Sequence, residues 1–397
     1  MKYRWIAIAL ILALGLTACA QKAEVSPTPP AAEHIPASLK TVLTPDTLAE
    51  YDFTEQATAY LDYIAAHFPN RDVADDASDH NAFGDWLLAE LKACGYDQIQ
   101  TQDFEEADFP GDSLHGRNYI LTIPGRSAAG QIIVGAHYDG DGAGDNGSGV
   151  ALALATAAGL AGVEPYYTVK FIFFDGEEEG LLGSKYYAEH MSAAELADTV
   201  YMINLDALVF GDYCNIYGGF YGEDYDAGYI AVDEDETLPE PEGTEGYDFA
   251  ADTAEALGFR VHRTAELDGY FEKNGTGMPL EDAFFTNPWT NAHPAPSNMW
   301  APSPATIGAS DHVGFAVRGI PCIYFEATNW WAAGESPELA YTGYIETEDA
   351  SLGEGGMFMN TEYDTIEVLN RLFPGRVEQH YHLFSPLLSA LILVEAD

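Results

Sequence analysis

Thr168-Val169-Lys170-Phe171-Ile172-Phe173-Phe174-Asp175-Gly176-Glu177-Glu178 is the stretch whose reading decides the fold. A run apolar on both faces predicts a parallel strand buried within a sheet. Ligand-binding groups in open α/β sheets collect just past the carboxyl ends of such strands, where Glu177 and Glu178 stand. Upstream, Gln131-Ile132-Ile133-Val134-Gly135-Ala136 reads as a second buried strand, ending in His137-Tyr138-Asp139. Asp145-Asn146-Gly147-Ser148-Gly149 then opens a small-residue helix over 150–161. Downstream, Val200-Tyr201-Met202-Ile203-Asn204-Leu205 forms a third strand before Asp206. Three strand ends thus deliver an imidazole and several carboxylates to one sheet edge, the layout of a metal site.

The residue types fit that chemistry. Neutral imidazole with carboxylates and no thiolate is a ligand set of catalytic rather than structural zinc. A loop carboxylate such as Asp145 could bridge two ions. Asp139, two residues after His137, is placed to hold the other ring N–H and fix the tautomer. Of two adjacent glutamates, one can bind metal while the other serves as a base. Taken singly, each feature has a plainer explanation: a surface ion pair, a solvated acidic face, a helix cap. Their ordered placement at successive strand ends argues for the site.

With these motifs the chain resembles the co-catalytic zinc aminopeptidase family, whose catalytic fold also carries glutamate carboxypeptidases, glutaminyl cyclases and the transferrin-receptor ectodomain. The matching residues are Gly135 to Asp139, Asp145 to Gly149, Phe174 to Ser184, Asn204 to Asp206, and Ser310-Asp311-His312-Val313-Gly314-Phe315. The resemblance implies a three-layer α/β/α fold with a mixed, mostly parallel central sheet. It also implies that His137 and Asp206 hold the first metal, Asp145 bridges, Glu178 holds the second, and Glu177 is the general base. The family's Glu-Glu-x-Gly-Leu-x-Gly-Ser pattern leaves Glu179 as the variable position. One departure stands out: where the family reads His-Thr-x-x-Asp-Thr, this chain reads Asn360-Thr361-Glu362-Tyr363-Asp364-Thr365. An amide oxygen is a poorer zinc ligand than imidazole. The expectation is therefore one firmly bound zinc, with a second divalent ion weaker or absent and Asn360 as the odd ligand. His312, His380 and His382 are the candidate substitutes, and their spacing favours none of them.

Composition bounds the rest. The 397 residues, 47% hydrophobic, suit one large domain with an insertion. Sixteen Lys and Arg against 64 Asp and Glu give a net charge of −48, which argues against nucleic acid as a partner. An acidic, well-solvated surface explains that charge better than substrate steering does. Lys2 and Arg4 precede an apolar stretch too short to span a membrane comfortably, read as a signal peptide over 1–18. Leu16-Thr17-Ala18-Cys19 resembles the bacterial lipobox, so Cys19 is the expected lipidation site. Residues 19–45 would form the anchor and a Pro-rich tether, and 46–397 the metallopeptidase domain. Cys94, Cys214 and Cys322 make no disulfide framework expected. Helices are expected over 47–68, 81–94, near 249–257 and over 376–394, and a strand from Asn118 to Pro124. The acidic and aromatic segment 218–300 reads as an insertion at the cleft edge. Ser310 and Asp311 read at least as readily as helix caps as substrate contacts. The expected protein is an exported, membrane-anchored lipoprotein of the cell surface or envelope that acts as an aminopeptidase on short peptides. Carboxypeptidase action and a catalytically impaired peptide-binding role are the alternatives.

Overall fold

A computed structural model describes residues 34–72, 77–106, 114–219, 229–231, 243–263, 283–286, 300–302, 310–328, 359 and 361–397. Its centre is a nine-stranded sheet. In chain order the strands are β1 (Ile99–Glu106), β2 (Leu114–Ile123), β3 (Gln131–His137), β4 (Thr168–Phe174) and β5 (Thr199–Leu205), followed by β6 (Tyr213–Tyr217), β7 (Arg260–His262), β8 (Ala283–Thr286) and β9 (Cys322–Thr328). Across the sheet they run β1-β2-β4-β3-β5-β9-β6-β8-β7. The middle, β4-β3-β5-β9, is parallel. β1 and β2 add antiparallel on one side, and β9 pairs antiparallel with β6 on the other.

The central strands bury both faces, as their unbroken apolar runs require. One face carries Ile132, Val134, Phe171, Phe173, Tyr201 and Ile203 into the larger core. The other carries Ile133, Ile172, Phe174 and Met202 into a smaller one with Tyr187, Ala188, Val313 and Phe315. The larger core is covered by α1 (Thr54–His67), α2 (Ala77–Ala93), α3 (Gly147–Gly159), α5 (Glu245–Ala256) and α6 (Arg376–Ile392), the smaller by α4 (Leu182–Glu189) and the short turn Val313–Ala316. This is the expected three-layer α/β/α architecture. In α3 every residue from Gly147 to Ala157 is buried, so the helix lies inside the fold rather than on it.

The helices expected from periodicity are present with shifted ends. The region 47–68 splits into a short 3₁₀ turn, Leu48–Tyr51, and α1. The break has a local cause: Asp52 Oδ1 accepts from the Thr54 N–H (3.0 Å) and hydroxyl (2.6 Å), drawing the backbone out of a continuous helix. Part of the expected insertion 218–300 belongs to the sheet itself. Its described residues supply α5, β8, which pairs parallel to β6, and the edge strand β7, which pairs parallel to β8. Strands of three and four residues are too short to show a periodic signal in the sequence. Cys94, Cys214 and Cys322 are free thiols. No helix among the described residues is long and apolar enough to cross a membrane. The expected lipidation site, Cys19, lies outside the described residues.

Candidate metal centre

β3, β4 and β5 lie side by side with His137 opposite Phe174 and Gly135 opposite Asn204, so their carboxyl ends form one ledge. His137 closes β3, Asp206 follows β5, and Glu177 and Glu178 occupy the loop after β4. Asp145 comes from the loop that enters α3. His137 Nε2 lies 3.2 Å from Asp145 Oδ1 and 3.2 Å from Asp206 Oδ1. Donor atoms of His137, Glu177 and Asp206 all fall within 4.8 Å of one another. His137 is buried, while Glu177 and Glu178 keep some exposure at the cleft. Asp139 faces the far side of the ring, its Oδ1 3.6 Å from Nδ1, and its Oδ2 accepts from the Glu178 N–H at 3.1 Å.

Buried polar contacts hold the ledge in place. Asn146 donates from Nδ2 to Leu205 O at 2.8 Å, and its Oδ1 accepts from Gly149 N at 2.9 Å, capping α3. A Cβ on Gly149 would meet Leu205 O at 2.3 Å, so this close approach of helix to strand needs glycine. Asp364 accepts from Gly144 N (2.7 Å) and Asp145 N (3.2 Å) and sits where a Cβ on Gly142 would fall, 2.0 Å from Oδ2. Segment 361–365 is thereby docked beside Asp145. Asn360 lies outside the described residues.

The charges explain the chemistry such a site can support. Burial alone would lower the His137 pKa, but the charges of Asp206 and Glu177, with Asp139 and Asp145 alongside, raise it well above its usual value. Burial raises Glu177 and Glu178 well above the usual carboxylate range, and neighbouring acids add to this. Burial also pushes Asp311 up to about 7. So many carboxylates in low dielectric demand a positive charge among them. Two carboxylate oxygens at 3.2 Å from one imidazole nitrogen match the edge of a tetrahedron around an ion with bonds of about 2.0 Å. The donor set fits a divalent metal.

The structure brings together His137, Asp139, Asp145, Glu177, Glu178 and Asp206, all singled out from the sequence. Ser310 and Asp311 differ from the capping expectation: the turn Val313–Ala316 has no side-chain cap. Ser310 instead donates to Asp206 Oδ2 at 2.7 Å and accepts from Asn204 Nδ2 at 2.7 Å. The carboxylate of Asp311 is fully buried, and its charge acts on Glu177. His380 and His382 are engaged elsewhere, with Leu208 O (3.1 Å) and Asp52 Oδ2 (2.7 Å), and His312 stacks on Tyr324. Arg71 and His80 support the ledge but were not singled out, because most of their contacts are with backbone atoms that leave no sequence pattern; Asp364, read only as part of the Asn360–Thr365 motif, supports it too.

Residues 118–233 match Peptidase family M28. Four of the motifs read from the sequence, from Gly135 to Asp206, fall within that span. Leupeptin-inactivating enzyme 1 of Streptomyces exfoliatus is 30% identical over 186 residues, which cover 45% of this chain and 40% of the relative. The probable lipoprotein aminopeptidase LpqL of Mycobacterium tuberculosis is 33% identical over 189 residues, 43% of this chain and 35% of the relative. The matched stretch is thus well under half the length of either relative. A glutaminyl cyclase structure from an Acidobacteriales bacterium aligns at TM-score 0.51 and 18% identity, over 86% of this chain and 95% of the other, and shares the fold.

Proposed function

We propose, for a chain whose residues 118–233 match Peptidase family M28, a metal-dependent exopeptidase, an aminopeptidase that removes N-terminal residues from short peptides. The observation that carries this reading is the convergence of Asp145 and Asp206 on His137 Nε2, each at 3.2 Å, with Glu177 beside them. Zinc suits such an imidazole and carboxylate set. His137 and Asp206 would hold the first ion, Asp145 would bridge, and Glu178 would face a second. When bound, the metal polarises the peptide carbonyl and lowers the pKa of water.

The chain's own residues do the rest. Glu177 takes the proton of the attacking water and passes it to the leaving amine. Burial, with Asp206, Glu178 and Asp311 against the opposing charge of His137, raises its pKa, and a bound cation would draw it back toward the range where the carboxylate accepts a proton. Asp139 favours the His137 tautomer with its proton on Nδ1, which leaves Nε2 free to donate its lone pair.

Asn360, standing where the resembling family has histidine, favours a second reading: a peptide-binding surface protein with little turnover. Elemental analysis after dialysis, joined to a peptide assay, separates the two. One firmly held divalent ion per chain and metal-dependent release of N-terminal residues are expected. Release from the C-terminus would assign carboxypeptidase action instead. Binding without hydrolysis across a broad peptide library would move the assignment to the second reading. The likeness to a relative named a lipoprotein aminopeptidase supports an acyl anchor at Cys19 in the lipid bilayer. The full chain should then partition with membranes; recovery as a soluble, unacylated protein would refute the anchor.

A further inference from the structure

Arg71 lies in the connection after α1, outside the family match, yet it is fully buried against the site's loops. Its guanidinium donates to three backbone carbonyls: Phe68 O at 2.8 Å, Tyr138 O at 3.3 Å, and Gly142 O. Its own N–H donates to Gly140 O at 3.0 Å. One residue therefore grips, at three points, the loop that runs from His137 to Asp145. The carboxylates whose charges act on it are those of Asp364, Asp145, Asp141 and Asp139. A guanidinium keeps its charge and its planar fork in such surroundings, which an ammonium could not match in geometry.

The contact continues toward the second loop. His80 Nδ1 donates to Arg71 O at 2.7 Å, and His80 Nε2 lies 3.1 Å from Asp175 Oδ1. His80 is stacked on Tyr138, with ring centroids 5.1 Å apart. Asp175 Oδ2 also accepts from Tyr138 Oη (2.9 Å) and from Arg117 N (2.7 Å). Asp175 is the last residue before Gly176-Glu177-Glu178. Both ends of the chain of contacts thus end at loops that carry proposed ligands or the base, and none of the three linking side chains needs to touch the metal.

We infer that Arg71, His80 and Asp175 form a positioning relay that fixes the His137–Asp145 loop against the Glu177–Glu178 loop and so sets the zinc affinity of the cleft. The inference rests on the metal reading of that cleft. Partners that orient metal ligands are typically worth about 10- to 100-fold in metal affinity. Residues acting as one unit give non-additive effects when removed together.

The test is calorimetric titration of the metal-free, full-length protein with Zn²⁺ alone, for wild type, Arg71→Lys, Asp175→Asn and the double variant. Each single variant should weaken zinc binding about tenfold or more. The double should weaken it little beyond the weaker-binding single, because a relay is broken only once. Unchanged zinc affinity in the singles, with only a lowered Tm, would overturn the inference, and so would losses that multiply in the double. Should Arg71→Lys fail to fold, His80→Gln with Asp175→Asn runs the same cycle with the same outcomes. A wild type that binds no zinc would instead overturn the metal reading itself, and with it this inference.

Discussion

The stretch 206–212 begins in the cleft and ends beneath α6, and its two ends are buried in different ways. Under α6, Arg376 donates to Phe210 O at 2.7 Å and to Asp212 Oδ1 at 2.9 Å, and His380 meets Leu208 O at 3.1 Å. Charge faces opposite charge, and donors face acceptors. In the cleft, Asp206 shares its surroundings with Asp139, Asp145, Glu177, Glu178 and Asp311 around the His137 imidazole. There both Asp311 carboxylate oxygens have no hydrogen-bond partner among the described residues, while His137 Nδ1 and Asp139 Oδ1 face one another at 3.6 Å. Buried polar groups in native proteins are satisfied as a rule, so a concentrated exception marks a place where something else completes the set. The α6 cluster balances its own charges; the cleft gathers a donor set that fits a divalent metal.

Substitutions can break this contrast in either direction. The largest expected effect is that of His137→Ala, which should remove both bound metal and nearly all turnover while leaving the fold intact by circular dichroism. Retained metal would show that His137 is not a ligand. Arg376→Met should do the opposite. Removing the guanidinium that Asp212 faces, a buried ion pair, should cost up to about 3–5 kcal/mol of stability in a denaturant titration, with zinc affinity unchanged at temperatures where the variant is folded. A loss of zinc binding there would join the two clusters and blur the distinction.

A smaller effect should appear on the acid side. Burial, and then the charge of Arg376, lowers the His380 pKa to about 3. In the unfolded chain the imidazole takes its proton near its ordinary value of about 6.5. The unfolded state therefore binds more protons between these values, and stability should fall as the pH drops from about 6.5 toward 3, by at most about 1.4 kcal/mol per pH unit from this group. His380→Gln, which keeps a hydrogen-bond donor but cannot titrate, should flatten that slope. An unchanged slope would mean that other groups carry the acid sensitivity.

Much of the site was legible because its residues end strands whose apolar runs are unmistakable. His137, Asp145, Glu177, Glu178 and Asp206 each stand within a few residues of such a run or of the small-residue helix it precedes. Arg71 and His80 were not legible, since an arginine after an amphipathic helix reads as a solvated charge until its carbonyl partners are known. Ser310 was read as readily as a cap as a contact because a serine before a helical turn commonly is one, and only the fold brings Asp206 to its hydroxyl. The parallel core of the sheet was legible from its buried runs, whereas β7 and β8 were folded into an expected insertion because so few residues carry no period. Asn360 was legible as a departure, and its place falls outside the described residues.

The central claim is that Glu177 is a base beside a metal rather than another ligand or a structural acid. It is tested most directly by measuring metal content and peptide turnover together in wild type and Glu177→Gln. The expected result is equal metal in the two proteins and a loss of about a hundred- to ten-thousand-fold in rate for the variant. Wild-type turnover in Glu177→Gln would contradict the assignment of the base, and loss of metal along with rate would contradict the separation of base from ligand.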